Sequence, residues 1–217
     1  MADHVYNAVK NPDNPEDNKL PGGWELIDIK TGGESMKIGV YRRKKNNGEY
    51  EYALVNAGSS DLNDWINNVE QPFGKSDDMN ASLDAAGEFV EDHFDSEITF
   101  VGHSKGGAEA AANAIMTNRD CIIFNPAAVN LGAYGLSAGG YTAHMSIFVV
   151  EGEILHAVYT EILGLTPGSF VYLETQHEAP WYTYPGGEIY TSIKNHMMEA
   201  VIAALKEAGY SVLGPTD

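Results

Sequence analysis

Cysteine is nearly absent from this chain: Cys121 stands alone, so no internal disulfide can form. It sits in the apolar run Cys121-Ile122-Ile123-Phe124, where a thiol behaves as a small buried hydrophobe rather than a reactive group. Basic residues are also scarce. Thirteen Lys and Arg face 31 Asp and Glu, a formal net charge of −18. That balance excludes a nucleic-acid partner, whose phosphates would be repelled, and disfavours electrostatic docking on anionic membranes. Its main consequence is solubility. No apolar stretch reaches the roughly 20 residues that span a bilayer, so no transmembrane segment is expected. The N-terminal stretch MADHVYNAVKNPDNPEDN has no basic region followed by an apolar one. No secretory signal is therefore expected in it, leaving a cytoplasmic location or secretion without a recognisable signal. The metallohydrolase motif HExxH is missing, because His177-Glu178 is followed by no histidine at the right spacing. P-loop and GxGxxG patterns are missing too, so neither a metal nor any other cofactor is expected. The acidic run Asn11 to Asn18 lacks the ordered D-x-D-x-D-G pattern of a calcium loop and reads as a solvated surface loop.

What is present describes an ordinary globular chain. Hydrophobic residues make up 43% and charged residues 20% of 217 positions, enough for one α/β domain with a full core. With no internal repeat, low-complexity segment or linker, residues 1–217 are expected to form a single domain. Strand-like runs occupy Trp24 to Ile29, Met36 to Tyr41 and Tyr50 to Val55, with Asn47-Gly48 marking a hairpin turn between the last two. An amphipathic helix is predicted from Met79 to Phe94, its apolar face formed by Leu83, Ala86, Phe89, Val90 and Phe94 and its cap by Asp77 or Asp78. Further strands are predicted at Cys121 to Phe124, Ile147 to Val150 and Phe170 to Leu173, and a last helix from about Lys194 to Ala208. Strands alternating with helices after an antiparallel start predict a mostly parallel central sheet flanked by helices, an α/β fold.

One stretch carries chemistry. In Ile98 to Ile115, ITFVGHSKGGAEAAANAI, a β-branched and aromatic run leads into Gly102-His103-Ser104-Lys105-Gly106 and then into an Ala-rich helix. This is a G-x-S-x-G with a strand before it and small residues after it. A tight strand-to-helix turn pushes the serine hydroxyl out beyond the sheet edge, and only small neighbours fit around the bend. Ser104 is therefore the candidate nucleophile. A serine hydroxyl needs a base to accept its proton and an acid to orient that base. In this chain order the acid should follow a later strand. Glu153 lies just past Ile147–Val150, with Glu151 two residues earlier as the alternative. For the base, His177 after the strand ending at Leu173 and His196 ahead of the last helix stand nearly equal on position alone.

The chain resembles the class 3 lipase family, triacylglycerol lipases of α/β-hydrolase fold that include fungal enzymes with a mobile helical lid. Leu54-Val55-Asn56-Ala57-Gly58-Ser59-Ser60 followed by Asn63-Asp64-Trp65-Ile66 is similar to the family's strand, R-G-[ST] and D-W or N-W segment. Gly102 to Gly107 matches the G-H-S-x-G-[GA] turn, Asn125-Pro126 the turn after the next strand, and Gly152-Glu153-Ile154 the acid turn with Glu for Asp. Gly186-Gly187-Glu188-Ile189-Tyr190 matches the glycine-rich turn and E-[IV]-[YW], after which the family has a histidine opening the final helix. The resemblance runs from about Tyr6 to Leu205 and implies a serine esterase or lipase acting on acylglycerols or related lipid esters, with a lipid–water interface as a possible partner; the alternatives are a phospholipase, thioesterase or acyltransferase on the same fold, or a non-catalytic binding module. It implies His196 as base and an oxyanion hole from the backbone N–H groups of Lys105 and Ser59. It also implies a short lid over residues 61–69 with an apolar face at Leu62, Trp65, Ile66 and Val69. Two departures stand out: Ala57 replaces the usual arginine, removing a salt bridge that braces the oxyanion turn, and Glu153 carries one methylene more than the usual Asp.

Overall fold

The computed structural model describes residues 1–8, 19–58, 76–155, 170–178 and 187–211. Among these, seven strands form one sheet in sequential order: β1 (Glu25–Gly32), β2 (Met36–Lys44), β3 (Tyr50–Asn56), β4 (Glu97–His103), β5 (Asp120–Phe124), β6 (Met145–Val150) and β7 (Phe170–Leu173). The first two pairings are antiparallel and the four from β3 to β7 are parallel, as the alternation of elements predicts. Five helices accompany the sheet among the described residues: α1 (Ala2–Ala8), α2 (Asp77–Asp92), α3 (Lys105–Thr117), α4 (Gly187–His196) and α5 (Met198–Glu207).

The period-2 pattern of the strands divides the interior into two cores. Met36, Ile38, Val40, Leu54, Phe100, Ile123, Ile147 and Val149 point to the side covered by α2 and α3. Tyr41, Ala53, Val55, Val101, Phe148 and Val150 point to the side covered by α1 and α5. Helix α3 sits close against the sheet because its inward face is almost all alanine, from Ala108 to Ala114. Gly106 lets it closer still: a Cβ there would stand 2.3 Å from the carbonyl oxygen of Asn56.

Three expectations are corrected. Ser76, not Asp77 or Asp78, caps α2: its hydroxyl accepts from the Met79 amide at 3.1 Å. Asp78 is engaged elsewhere, accepting from the amides of Glu34, Ser35 and Met36 in the β1–β2 turn. Phe94 lies beyond the helix and is 73% exposed, stacked under the Arg119 guanidinium, because α2 ends at Asp92 and its apolar stripe ends with it. The predicted last helix is two helices broken at Met197, whose backbone is extended. His196 therefore closes α4 instead of opening the final helix. Helix α1 is an element that the strand and helix patterns above do not predict. It buries Val5 completely, under the sheet.

Candidate active site

The four parallel pairings bring the carboxyl ends of β3 to β7 to one edge of the sheet, the edge at which open α/β sheets build their sites. Ala57–Gly58, Ser104, Asn125, Glu153 and Thr175 to His177 all follow strand ends there.

Ser104 joins β4 to α3 in a left-handed backbone conformation (φ 58°, ψ −129°) that a non-glycine residue rarely adopts. Its surroundings hold it there. The Ser104 amide donates to the Phe124 carbonyl, and its own carbonyl accepts from the amides of Gly107, Ala108 and Ala127 at 2.9–3.2 Å. A Cβ at Gly102 would stand 2.1 Å from the Gly106 carbonyl oxygen, so the bend needs glycine. The Ser104 hydroxyl is buried and, among the described residues, makes no hydrogen bond. Lys105, at the first position of α3, has an amide with no intrahelical acceptor.

Glu153 sits on a turn closed by its amide to the Val150 carbonyl at 3.2 Å, with Gly152 at the left-handed position (φ 76°). Its carboxylate is buried, and Oε2 accepts from Nδ1–H of His196 at 2.7 Å with both side chains fully out of solvent. Glu151, the alternative, is exposed. His177 is exposed too, and among the described residues it meets the site through its backbone, which is bonded to Asn195. The structure thus brings Glu153 and His196 together and leaves Glu151 and His177 outside. Ser59 and the lid residues Leu62, Trp65 and Ile66 lie outside the described residues.

Position is imposed on His196 through its backbone. Its carbonyl accepts from Nε2–H of His103 at 2.6 Å and from the Asn125 amide group at 3.2 Å, and that amide group also donates to the Asn195 carbonyl at 3.0 Å. These donors occupy the C-terminal carbonyls of α4, which is why the chain can stop there without glycine or proline. Asn125 also accepts from the Val150 amide, tying the acid strand to the histidine segment. Because Nε2 of His103 donates to a carbonyl, its Nδ1 must accept, and Tyr6 supplies the hydroxyl at 2.9 Å. Burial, followed by the neighbouring His196, holds the His103 imidazole down at about 3, so it stays neutral. Tyr6 in turn accepts from the Gly58 amide, where a Cβ would lie 2.2 Å from its hydroxyl oxygen. One chain of hydrogen bonds therefore joins Gly58 after β3, the residue before Ser104 and the backbone of His196.

Below Lys105 lies a second polar group. The Lys105 ammonium pairs with Asp78 and hydrogen-bonds the Ser35 hydroxyl. Burial alone would raise the Asp78 carboxyl, but hydrogen bonds from Lys105 and Ser35 hold it well below the usual carboxylate range. Sequence reasoning gave no role in the site to Ser35, to the Asp78 carboxylate, to the Lys105 side chain, to Tyr6 or to Asn195, and took Asn125 only as part of a turn that the family shares. A usable signal was present in α3: Lys105, Glu109 and Asn113 recur every fourth residue on an otherwise alanine-lined helix. Among the described residues no cluster of His, Cys, Asp and Glu is arranged to hold a metal ion, and no helix is long and apolar enough to cross a membrane.

A mixed sheet flanked by helices, with a strained serine between β4 and α3 at its carboxyl edge, defines an α/β-hydrolase of the lipase type. The chain resembles lipase II from Rhizopus niveus (17% identity, TM-score 0.54, covering 81% of this chain and 77% of that one). It also resembles the Rhizomucor miehei lipase in its propeptide complex (14% identity, TM-score 0.52, covering 79% and 64%). At such identities the likeness is one of fold. The sequence model described as Phospholipase-like, Tle-like phospholipase domain, matches residues 1–195, and the chain belongs to that family. It is 31% identical over 115 residues to the extracellular phospholipase A1 of Serratia liquefaciens. That match covers 52% of this chain and 34% of the relative, so the chain spans about a third of that protein's length.

Proposed function

We propose that this protein hydrolyses carboxylic ester bonds of phospholipids, through a Ser104–His196–Glu153 triad carried on a single α/β-hydrolase domain. The observation that carries the reading is the buried 2.7 Å pair of His196 Nδ1 and Glu153 Oε2, held against the residue preceding Ser104. Family membership, together with a relative named as a phospholipase A1, supports phospholipid as the substrate class.

With Nδ1–H donated to Glu153, the other imidazole nitrogen is the basic one. It takes the Ser104 proton as Oγ attacks the ester carbonyl, and the resulting imidazolium is stabilised by the carboxylate. The tetrahedral oxyanion is held by the Lys105 amide and, as the family resemblance implies, that of Ser59. Collapse expels the lysolipid alcohol, which takes the proton back from His196. An acyl-serine remains, and a water deprotonated by His196 releases the fatty acid. Hydrogen bonds of this kind often tighten only when substrate is bound, which accommodates a Ser104 hydroxyl that makes none among the described residues.

A second reading, triacylglycerol as substrate, is favoured by the lipases that share the fold. Fluorophosphonate labelling, followed by fatty-acid release from phosphatidylcholine vesicles and from triolein emulsion, tests both. Wild type is expected to label and to release acid faster from phosphatidylcholine, and Ser104→Ala to do neither while keeping its circular dichroism. Turnover retained in Ser104→Ala ends the nucleophile assignment, and a preference for triolein moves the substrate to the second reading.

A further inference from the structure

Among the described residues Glu109 is the most deeply buried acid outside the proposed triad, 1% exposed on the inner face of α3. Its Oε2 accepts from the side-chain amide of Asn56 at 3.1 Å. The same amide reaches the Ser82 hydroxyl of α2 at 2.8 Å, and Asn113, one turn further along α3, donates to that hydroxyl at 2.9 Å. Oε1 makes no hydrogen bond among the described residues, and its nearest cation is the Lys105 ammonium at 3.8 Å. A small cavity lined by Met79, Lys105, Ala108, Val129 and Tyr134 abuts it. A neutral side chain would satisfy one amide as well, so a carboxylate here is costly unless its charge has a task.

Its place suggests the task. Asn56 is the last residue of β3, immediately before Ala57–Gly58, where the oxyanion turn begins, and Lys105 directly follows Ser104. The two backbones touch at Gly106, whose missing Cβ leaves room for the Asn56 carbonyl. We propose that Glu109 is a positioning residue for ester hydrolysis: its carboxylate grips Asn56 on one side and faces the Lys105 ammonium on the other, fixing the oxyanion turn relative to the first turn of α3. The inference rests on the reading of Ser104 as nucleophile.

Charge matters to this grip because Glu109 titrates in a usable range. Burial pushes its carboxyl up to about 7, against the opposing pull of Lys105 and the Asn56 hydrogen bond. The other ionisable groups acting with it are Asp78 from α2, which pushes in the same direction, and the Tyr6 hydroxyl from α1, which stays protonated. The ionised form is the one that holds both partners, so its contribution is full above about 7 and fades as pH falls through that value. Protonated, the group loses its attraction for Lys105, and small misplacements of an oxyanion donor are expensive in rate.

The test is the pH dependence of kcat and KM on a soluble nitrophenyl ester for wild type, Glu109→Gln and Lys105→Met. Glu109→Gln, which resembles the protonated form, is expected to lose about tenfold in kcat near pH 8 with little change in KM, and to converge on wild type below about pH 6. Lys105→Met keeps the backbone amide but removes a cation that favours ionised Glu109, so the ionisation seen at about 7 in wild type should move to higher pH. A ratio of Glu109→Gln to wild type that is flat with pH overturns the inference. If that variant does not fold, an unmoved ionisation in Lys105→Met overturns it instead. A wild type that resists fluorophosphonate ends the triad reading, whereas a reactive wild type with a flat ratio ends this inference alone.

Discussion

Substituting Glu153 by Gln removes one charge and almost no volume from a pair that is wholly out of solvent. In the proposed mechanism His196 becomes an imidazolium 2.7 Å from that charge during attack on the ester. At an effective dielectric of about 20, two unit charges at this spacing attract by about 6 kcal/mol, an upper bound of four decades in rate. The glutamine carbonyl recovers part of this as a neutral acceptor. If instead the amide turns its NH₂ toward the ring, His196 is fixed in the tautomer that cannot take the serine proton. The expectation is a fall in kcat of about 10³–10⁴ with KM nearly unchanged. Glu151→Gln is the control, since Glu151 is exposed and, among the described residues, is engaged through its backbone amide, to the Leu173 carbonyl. It should stay within twofold of wild type, by analogy with other surface substitutions. The assay is steady-state hydrolysis of a short-chain nitrophenyl ester, with circular dichroism melts to confirm that both variants are folded. A folded Glu153→Gln enzyme within a few-fold of wild type would refute the reasoning and remove Glu153 from the triad.

Two further outcomes follow from the same arrangement. His196→Ala should lose several orders of magnitude in kcat, whereas His177→Ala should lose little, because among the described residues His177 meets the site through its backbone; the reverse result in the same ester assay would move the base. Trp65→Ser, in the segment that the lipase resemblance makes a lid, should blunt a rise in activity as a lipid substrate passes its solubility limit, read as rate against substrate concentration across that limit; a smooth curve unaffected by the substitution would make the enzyme an ordinary esterase.

The parts of this molecule that were legible in its sequence are those whose cause is local. Alternation in Met36 to Tyr41 and the β-branched run before Gly102 are set by neighbours one or two residues away, and both became strands as expected. The Ser104 turn is also local, since Gly102 and Gly106 make room for each other within five residues. The break at Met197 was not legible. Nothing in Asn195-His196-Met197-Met198 forbids a helix, and the donors that occupy its carbonyls come from His103 and Asn125, far away in the chain. The α2 cap was misread for a similar reason. Asp78 is a good cap by residue type, but three amides of a distant hairpin turn and Lys105 claim its carboxylate. Tyr6 was invisible because its partners, His103 and Gly58, meet it only once the sheet has folded.

Asn195 has one more consequence. Its side chain accepts from the Gln176 and His177 amides and donates to the His177 carbonyl and the Thr175 hydroxyl, stitching together two points eighteen residues apart in the chain. The chain that follows β7 and the chain that ends α4 are thereby held at one knot, next to the carbonyls that His103 and Asn125 occupy. The place of the proposed base is thus set by side chains and backbone from the ends of three strands, β4, β5 and β7, and not by its own helix alone. A change at any one of those three ends should therefore be felt at His196, even where it touches neither Ser104 nor Glu153.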